Sequence, residues 1–190
     1  NQTSGATVGH GLSVAPDLVI IKMRTATGDW NLGMFSVALM GNTRTVQLND
    51  TAVSSVSAGY WNNTTPTATV FTLGDADIMN GANDYVAYCF HSVEGYSRVG
   101  KWQGNGQTDG SFIYTGFRPA MVLSKDISSA NNWGIVDDAR NTYNVANSRL
   151  RPNTTAAQST DLSCFDFVSN GFKLRTTDGD FNSNTYNYIY

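Results

Sequence analysis

Acidic residues are the side chains of this chain best suited to chemistry, and they gather where turns are expected. The spacing Asp178-Gly-Asp180-x-Asn182 alternates carboxylate and amide oxygens, which are ligands that Ca²⁺ favours. A calcium loop also needs a glycine and a closing glutamate, and Ser183 and Ile189 stand at those positions. We therefore predict hairpins stabilised by Asx turns, with calcium binding at these three residues as the weaker alternative.

Residues for acid–base or nucleophilic catalysis are few. The chain has two histidines, His10 and His91, and a single glutamate, Glu94. No Gly-x-Ser-x-Gly elbow is present, and glycosidases need two acids that flank a cleft. The adjacent acids Asp137 and Asp138 would point to opposite faces of a strand. These observations predict that the chain is not an enzyme and needs no cofactor.

Aromatic and amide side chains form a more suggestive set, because together they bind sugars and also anchor protein interfaces. The candidate binding or interface residues lie in two polar stretches: Tyr60, Trp61, Asn62 and Asn63 in the first, and Asp138, Arg140 and Tyr143 in the second. An exposed Tyr60–Trp61 pair predicts binding or assembly. The alternative is a loop aromatic that folds back over the end of a sandwich.

The elements that must position these residues occur twice. Residues 16–22, followed by Trp30, return as residues 119–125, followed by Trp133, and each position shifts by 103. In such a duplication, matched positions are explained by the fold and unmatched positions are candidates for function. Because Trp30 and Trp133 match, we predict that both lie in a core.

The duplication predicts two units, residues 1–95 and 96–190, each of a usual size for a sandwich domain. The first copy begins beyond the equivalent of the strand region 97–104. The second copy stops before its equivalent of residues 88–90. We therefore expect a portion of a longer polypeptide, in which the first unit lacks its N-terminal strand and the second has a truncated C-terminal strand.

Composition favours β structure, since 21 Thr, 19 Asn and 18 Gly accompany only four Lys and one Glu. Strands are predicted at 17–23, 30–36, 45–48, 70–73, 85–90, 99–103, 120–126, 133–138, 148–150, 172–175 and 186–190. The apolar runs 18–21 and 121–123 predict strands covered on both faces. Residues 138–143 and 159–165 could each form a short helical turn. The predicted fold class is all-β, with two tandem, mutually similar β-sandwich units of jelly-roll type.

Charge and apolar runs argue against two classes of partner. With 14% charged residues and a net charge of −3, the chain offers no basic field for nucleic acid and no cationic face for a membrane. The longest apolar run, 18–21, is far below the roughly 20 residues of a membrane span. Cys89 and Cys164 do not match between the copies, which predicts free thiols, with one bridge between the copies as the alternative.

The order of short motifs along the chain resembles one known family. The motifs are Gly116-Phe-Arg-Pro119, Val122, Lys125, Trp133, Asp138-Ala-Arg140, Leu150-Arg-Pro-Asn-Thr154, Ser169-Asn-Gly-Phe172, Leu174 and Tyr85-Val-Ala-Tyr-Cys-Phe90. This order resembles the repeated β-sandwich domain of unknown function in tail-fibre and virion structural proteins of marine bacteriophages. The first copy departs from the pattern, with Thr69-Val-Phe71 in place of Asn-Gly-Phe, so a shared role for the two copies stays open.

The resemblance implies a virion component that is assembled in the host cytoplasm. We expect a bacteriophage virion structural protein, a tail fibre or surface appendage, acting in particle assembly and host-surface attachment through loops such as 60–65 and 137–144. Its expected partners are other virion proteins, further copies of itself (a trimer by analogy) and a host surface glycan. The alternatives are a head decoration protein of the capsid, and a carbohydrate-binding module or glycan hydrolase.

Overall fold

Strands dominate the chain because β-branched and aromatic residues recur in short runs between turn formers. The computed structural model describes residues 2–36 and 40–190. Within them the strands are β1 (Ala6–Gly9), β2 (Leu18–Met23), β3 (Trp30–Met34), β4 (Arg44–Gln47), β5 (Ser55–Val56), β6 (Val70–Leu73), β7 (Tyr85–Phe90), β8 (Lys101–Gln103), β9 (Phe112–Tyr114), β10 (Met121–Asp126), β11 (Trp133–Asp137), β12 (Arg149–Leu150), β13 (Phe165–Val168), β14 (Gly171–Leu174) and β15 (Asn187–Ile189). Two helices of one turn are α1 (Ala58–Trp61) and α2 (Asp77–Asn80). The predicted all-β class is confirmed.

The chain divides into two units. The first contains Asn1–Asn49 and Ser54–Ser92, and the second contains Asp50–Val53 and Val93–Tyr190. Although Asp50–Val53 lies between β4 and β5 in the sequence, its contacts assign it to the second unit.

The first unit is built on a five-stranded sheet with the order β5-β4-β3-β2-β7, and β1 pairs separately with β6. Its core is filled by Val19 and Ile21 from β2, Phe71 from β6, and Trp61 and Met79 from the two helices. The core therefore lies between the two sheets, in a β-sandwich-like arrangement.

The second unit has a five-stranded sheet with the order β12-β11-β10-β15-β8 and a three-stranded sheet with the order β13-β14-β9. Aromatic rings fill the space between them. Trp102 stacks on Tyr188 with ring centroids 5.2 Å apart, and Phe165 contacts the rings of Phe172 and Phe181 at 5.1 and 4.9 Å. Such pairs stabilise a core beyond the area that they bury.

Two details of the predicted elements are wrong. Strand β2 is fully buried on one face only, and β10 is buried on both faces only from Ser124 to Asp126, beyond its apolar run. Residues of β2 alternate between buried and half-buried, and Met121 at the start of β10 is 58% exposed. No helix forms at 138–143 or 159–165. The alternating sequence Phe165-Asp-Phe-Val168 instead forms β13, with its two phenylalanines buried.

Both cysteines are free thiols in different units. Cys164 is buried, and this burial raises the pKa of its thiol to about 12. A thiol with so high a pKa is unreactive at neutral pH. Among the described residues, no helix has the length and hydropathy needed to cross a membrane.

Candidate functional site

Trp61 lies in the core of the first unit and is fully buried. Its indole Nε1 donates a hydrogen bond to the carbonyl of Arg44 at 3.1 Å, and its ring packs edge-on against Phe35 at 5.0 Å. The ring also presses on Gly33, where a Cβ atom would come within 2.6 Å of it. The predicted exposed pair of Tyr60 and Trp61 is therefore wrong, and the aromatic ring folds inward.

The neighbouring candidates shape the chain around α1. Tyr60 is half-buried, and both Asn62 and Asn63 adopt left-handed backbone angles, with φ of 52° and 51°. Asparagine tolerates this conformation better than most residues, so the pair ends the helix. The Asn62 side chain accepts a hydrogen bond from Ser4 at 2.8 Å, and the Asn63 carbonyl accepts one from Asn42 at 2.7 Å. These contacts hold the first polar stretch in place around α1.

The second polar stretch begins with a turn held by two ion pairs. The guanidinium of Arg140 donates to the carboxylate of Asp137 at 2.7 Å and to the carbonyl of Ile135 at 3.2 Å. Burial alone would raise the pKa of the Asp137 carboxyl, but the hydrogen bonds from Arg140 outweigh it and lower that pKa. Asp138 forms an ion pair with Arg118. Asp138 and Arg140 therefore fix the turn that precedes Tyr143.

Tyr143 stands at the tip of residues 141–148, which we call the Tyr143 loop, and is 84% exposed. The side-chain oxygen of Asn141 accepts hydrogen bonds from two backbone N–H groups later in this loop, at 3.1 and 2.7 Å. Asn144 binds the backbone of Phe167 twice, donating at 3.0 Å and accepting at 2.9 Å. The loop is therefore tied to β13 through Asn144, while the phenol of the adjacent Tyr143 is exposed to solvent.

The acidic loop proposed for calcium is occupied by arginines. Arg149 is 3% exposed, and its Nη1 lies 2.8 Å from the carboxylate of Asp178 and 3.1 Å from that of Asp180. Arg151 binds Asp180 at 2.9 Å. The predicted Asx turn is present, because the backbone N–H of Asp180 donates to the Asp178 carboxylate at 2.9 Å. The predicted hairpin is wrong, because the strands on either side of this loop, β14 and β15, belong to different sheets.

Asn182, the third calcium candidate, is fully buried and already bonded. Its side-chain NH₂ donates to Asn105, Gln107 and Thr176 at 3.0, 2.8 and 2.8 Å. Across residues 2–36 and 40–190, no cluster of three or more His, Cys, Asp or Glu side chains is arranged to hold a metal ion. All three calcium candidates are therefore engaged by hydrogen bonds or ion pairs within the chain.

Sequence reasoning missed a second exposed aromatic surface, in the first unit. Trp30 was predicted to lie in a core, but it is half-buried and stacks on the exposed Tyr88 with centroids 6.2 Å apart. Together they line an open cleft of about 590 Å³, the Trp30 cleft. Its lining residues are Lys22, Met23, Arg24, Ala26, Trp30, Tyr85, Val86 and Tyr88. The match between Trp30 and Trp133 concealed this surface, because Trp133 is only 2% exposed.

A family model described as a domain of unknown function (DUF7483) matches residues 1–190. The chain belongs to this family. One continuous match spans both units of the DUF7483 chain, which confirms the expected membership of a family of unknown function. Neither the curated proteins nor the solved structures contain a match to the chain.

Proposed function

We propose that this DUF7483 chain is a structural and attachment module of a bacteriophage particle, in a tail fibre or another surface appendage. The Tyr143 loop carries the proposal, since it joins an 84% exposed aromatic ring to a base fixed by asparagine hydrogen bonds. An exposed loop on a rigid support loses little conformational entropy on binding, which favours recognition of a surface. Tyrosine also stacks on sugar rings and carries a hydroxyl for hydrogen bonding, so a host surface glycan is the proposed ligand.

The proposal includes two mutually similar, jelly-roll-like units. Strand registers support it: Lys22 lies opposite Trp30 between β2 and β3, and Lys125 lies opposite Trp133 between β10 and β11. The two lysines also make matching contacts, to backbone carbonyls at 2.8 and 2.9 Å in the loops that follow β2 and β10.

Side chains at the ends of the sheets give independent support. The hydroxyl of Tyr85 accepts from a backbone N–H at 2.9 Å and donates to a carbonyl at 2.6 Å. Tyr188, 103 positions later, makes the same two contacts at 2.8 and 2.9 Å. Asn80 in the first unit and Asn182 in the second are both buried, and each donates to two or more backbone carbonyls.

The acidic side chains support a role without catalysis. Asp137, Asp178 and Asp180 are each held by an arginine, and a carboxylate so engaged is a poor general acid or base. On this proposal the chain works without a cofactor, is assembled in the host cytoplasm, and has other virion proteins and further copies of itself as partners.

Competition for the host surface tests the attachment role. Purified chain is added to host cells before intact particles, and the adsorption rate is measured. We expect the chain to slow adsorption as its concentration rises, and the Tyr143→Ala variant to lose this effect. Tyr96→Ala is the matched control, because Tyr96 is 81% exposed and lies outside the loop. Unchanged adsorption at saturating chain, or equal competition by the two variants, would overturn the attachment role.

A further inference from the structure

A short segment binds a buried lysine of the second unit's five-stranded sheet. Lys125 and Trp133, paired across β10 and β11, are 0% and 2% exposed. The segment Asp50–Val53 belongs to this unit. The ammonium of Lys125 donates to the carbonyl of Thr51 at 3.1 Å, and also to that of Asn131 at 2.9 Å. Lysine Nζ thus binds this segment through a backbone carbonyl, which requires no particular side chain in the segment.

The matching residue pair of the first unit borders an open cleft. Lys22 and Trp30 are only half-buried, and they line the Trp30 cleft. The ammonium of Lys22 donates to the carbonyl of Gly28 at 2.8 Å, the counterpart of the contact from Lys125 to Asn131. An ammonium has three donors, so Lys22 retains the capacity to bind a further carbonyl.

Each unit also has a matching asparagine, which aligns the segment Asp50–Val53 with its counterpart in the other copy. The side-chain oxygen of Asn49 accepts a hydrogen bond from the backbone N–H of Trp30 at 2.8 Å. Asn153 accepts one from the N–H of Trp133 at 3.0 Å. The segment Asp50–Val53 directly follows the first asparagine, so residues 154–157 are its counterpart.

The two segments begin with the same kind of turn. The backbone N–H of Ala52 donates to the side chain of Asp50 at 3.0 Å, and that of Ala156 donates to the side chain of Thr154 at 3.3 Å. All four residues of 154–157 are exposed. Their threonine and alanine side chains are small and uncharged, which suits them to a cleft walled by aromatic rings and aliphatic stems.

We propose that residues 154–157 of one copy dock in the Trp30 cleft of a second copy. The ammonium of Lys22 then donates to the carbonyl of Thr155, as that of Lys125 donates to Thr51. The inference rests on the proposed similarity of the two units. The contact is heterologous, because loop and cleft are different surfaces, so copies add head to tail rather than closing as a two-fold dimer.

Heterotypic cross-linking tests the proposal. Ala26→Cys and Thr155→Cys variants are purified separately in a Cys89→Ser background, mixed, and treated with a short bismaleimide. Ala26 is exposed and lines the Trp30 cleft, so its replacement leaves Lys22 in place. A spacer bridges the distance between the cleft wall and the docked loop, which a disulfide would not span. We expect a covalent dimer in the mixture and little in either variant alone. Thr108→Cys, at another exposed threonine, replaces Thr155→Cys in the matched control.

A dimer yield in the mixture no higher than in the Thr108→Cys control would overturn the proposal. Sedimentation without cross-linker gives a second measure. Self-association of the Lys22→Ala variant should be about tenfold weaker than that of the unmodified chain, since a charge-assisted hydrogen bond is lost. Failure of both measurements while the chain still competes for host cells would refute only the docking. Cross-linking without competition would refute only the attachment role.

Discussion

Replacing Arg149 by methionine should destabilise the second unit, because it removes the cation from a buried ion-pair network. Arg149 is 3% exposed, and Asp180, one of its two partners, is 6% exposed. Removing one member of a buried pair costs about 3–5 kcal/mol, since the remaining charge stays buried. The Nε of Arg149 has no hydrogen-bond partner, however, and removing this unsatisfied buried donor should raise the free energy of unfolding by about 1 kcal/mol. The expected net loss is about 2–4 kcal/mol.

Urea unfolding followed by tryptophan fluorescence measures this loss, because Trp102 and Trp133 report on the second unit. With an m-value of about 2 kcal/mol/M, the midpoint of that unit should fall by about 1–2 M. Arg24→Met is the matched control, since Arg24 is exposed and its replacement should cost less than about 0.5 kcal/mol. The double variant Arg149→Met/Asp180→Asn should lose less than the sum of the two single variants. A loss below about 1 kcal/mol for Arg149→Met would refute the network.

Three further outcomes follow from the structure. Trp61→Ala should lower the free energy of unfolding, measured with urea, by about 3–5 kcal/mol because it leaves a cavity in the core, whereas Tyr143→Ala should change it by less than about 0.5 kcal/mol. Equal losses for the two variants would contradict the buried position of Trp61. Calcium at millimolar concentration should leave the Tm unchanged, because arginines hold Asp178 and Asp180; a rise with calcium would revive the metal site. Burial in the folded chain raises the pKa of the Cys164 thiol to about 12, against 9.0 when unperturbed. The stability contributed by the protonated thiol is therefore fully present below pH 9 and is lost as pH rises from 9 towards 12. The unmodified chain should therefore lose more stability than Cys164→Ala between pH 9 and 11; parallel pH profiles would contradict this.

Local patterns predicted the strands that carry apolar runs between turn formers. Residues 70–73 and 85–90 were predicted with the bounds that β6 and β7 have. Strands β1, β5 and β9 were missed because they are two to four residues long and offer little periodicity. Strand β13 was missed for a different reason. In β13 the alternation of Phe165 and Phe167 is a strand signal that the prediction of a helical turn overlooked.

The candidate site depended on contacts that no local pattern contains. Arg149 and Asp178 are 29 positions apart, so the sequence displays a carboxylate loop without the guanidinium that occupies it. Trp61 is buried because α1 directs its ring beneath Gly33, which a polar flanking sequence does not reveal. The exposure of Tyr143 could be predicted because Asn141 and Asn144 flank it, and loops rich in asparagine lie at the surface.

The matched tryptophans show a further limit of reading a duplication. Positions that agree between the copies were assigned to the core, yet Trp133 is buried and Trp30 lines a cleft. Agreement between copies therefore predicts backbone position better than it predicts exposure.

Locating the chain on intact particles tests the central claim most directly. On the proposed assignment to a phage particle, antibodies against residues 1–190 are applied to purified particles, and gold-labelled sites are imaged by electron microscopy. Label on the capsid head would assign the chain to head decoration instead of an appendage. The account predicts gold on a tail fibre or another surface appendage; unlabelled particles, with the chain detected only in the soluble fraction of the lysate, would contradict it.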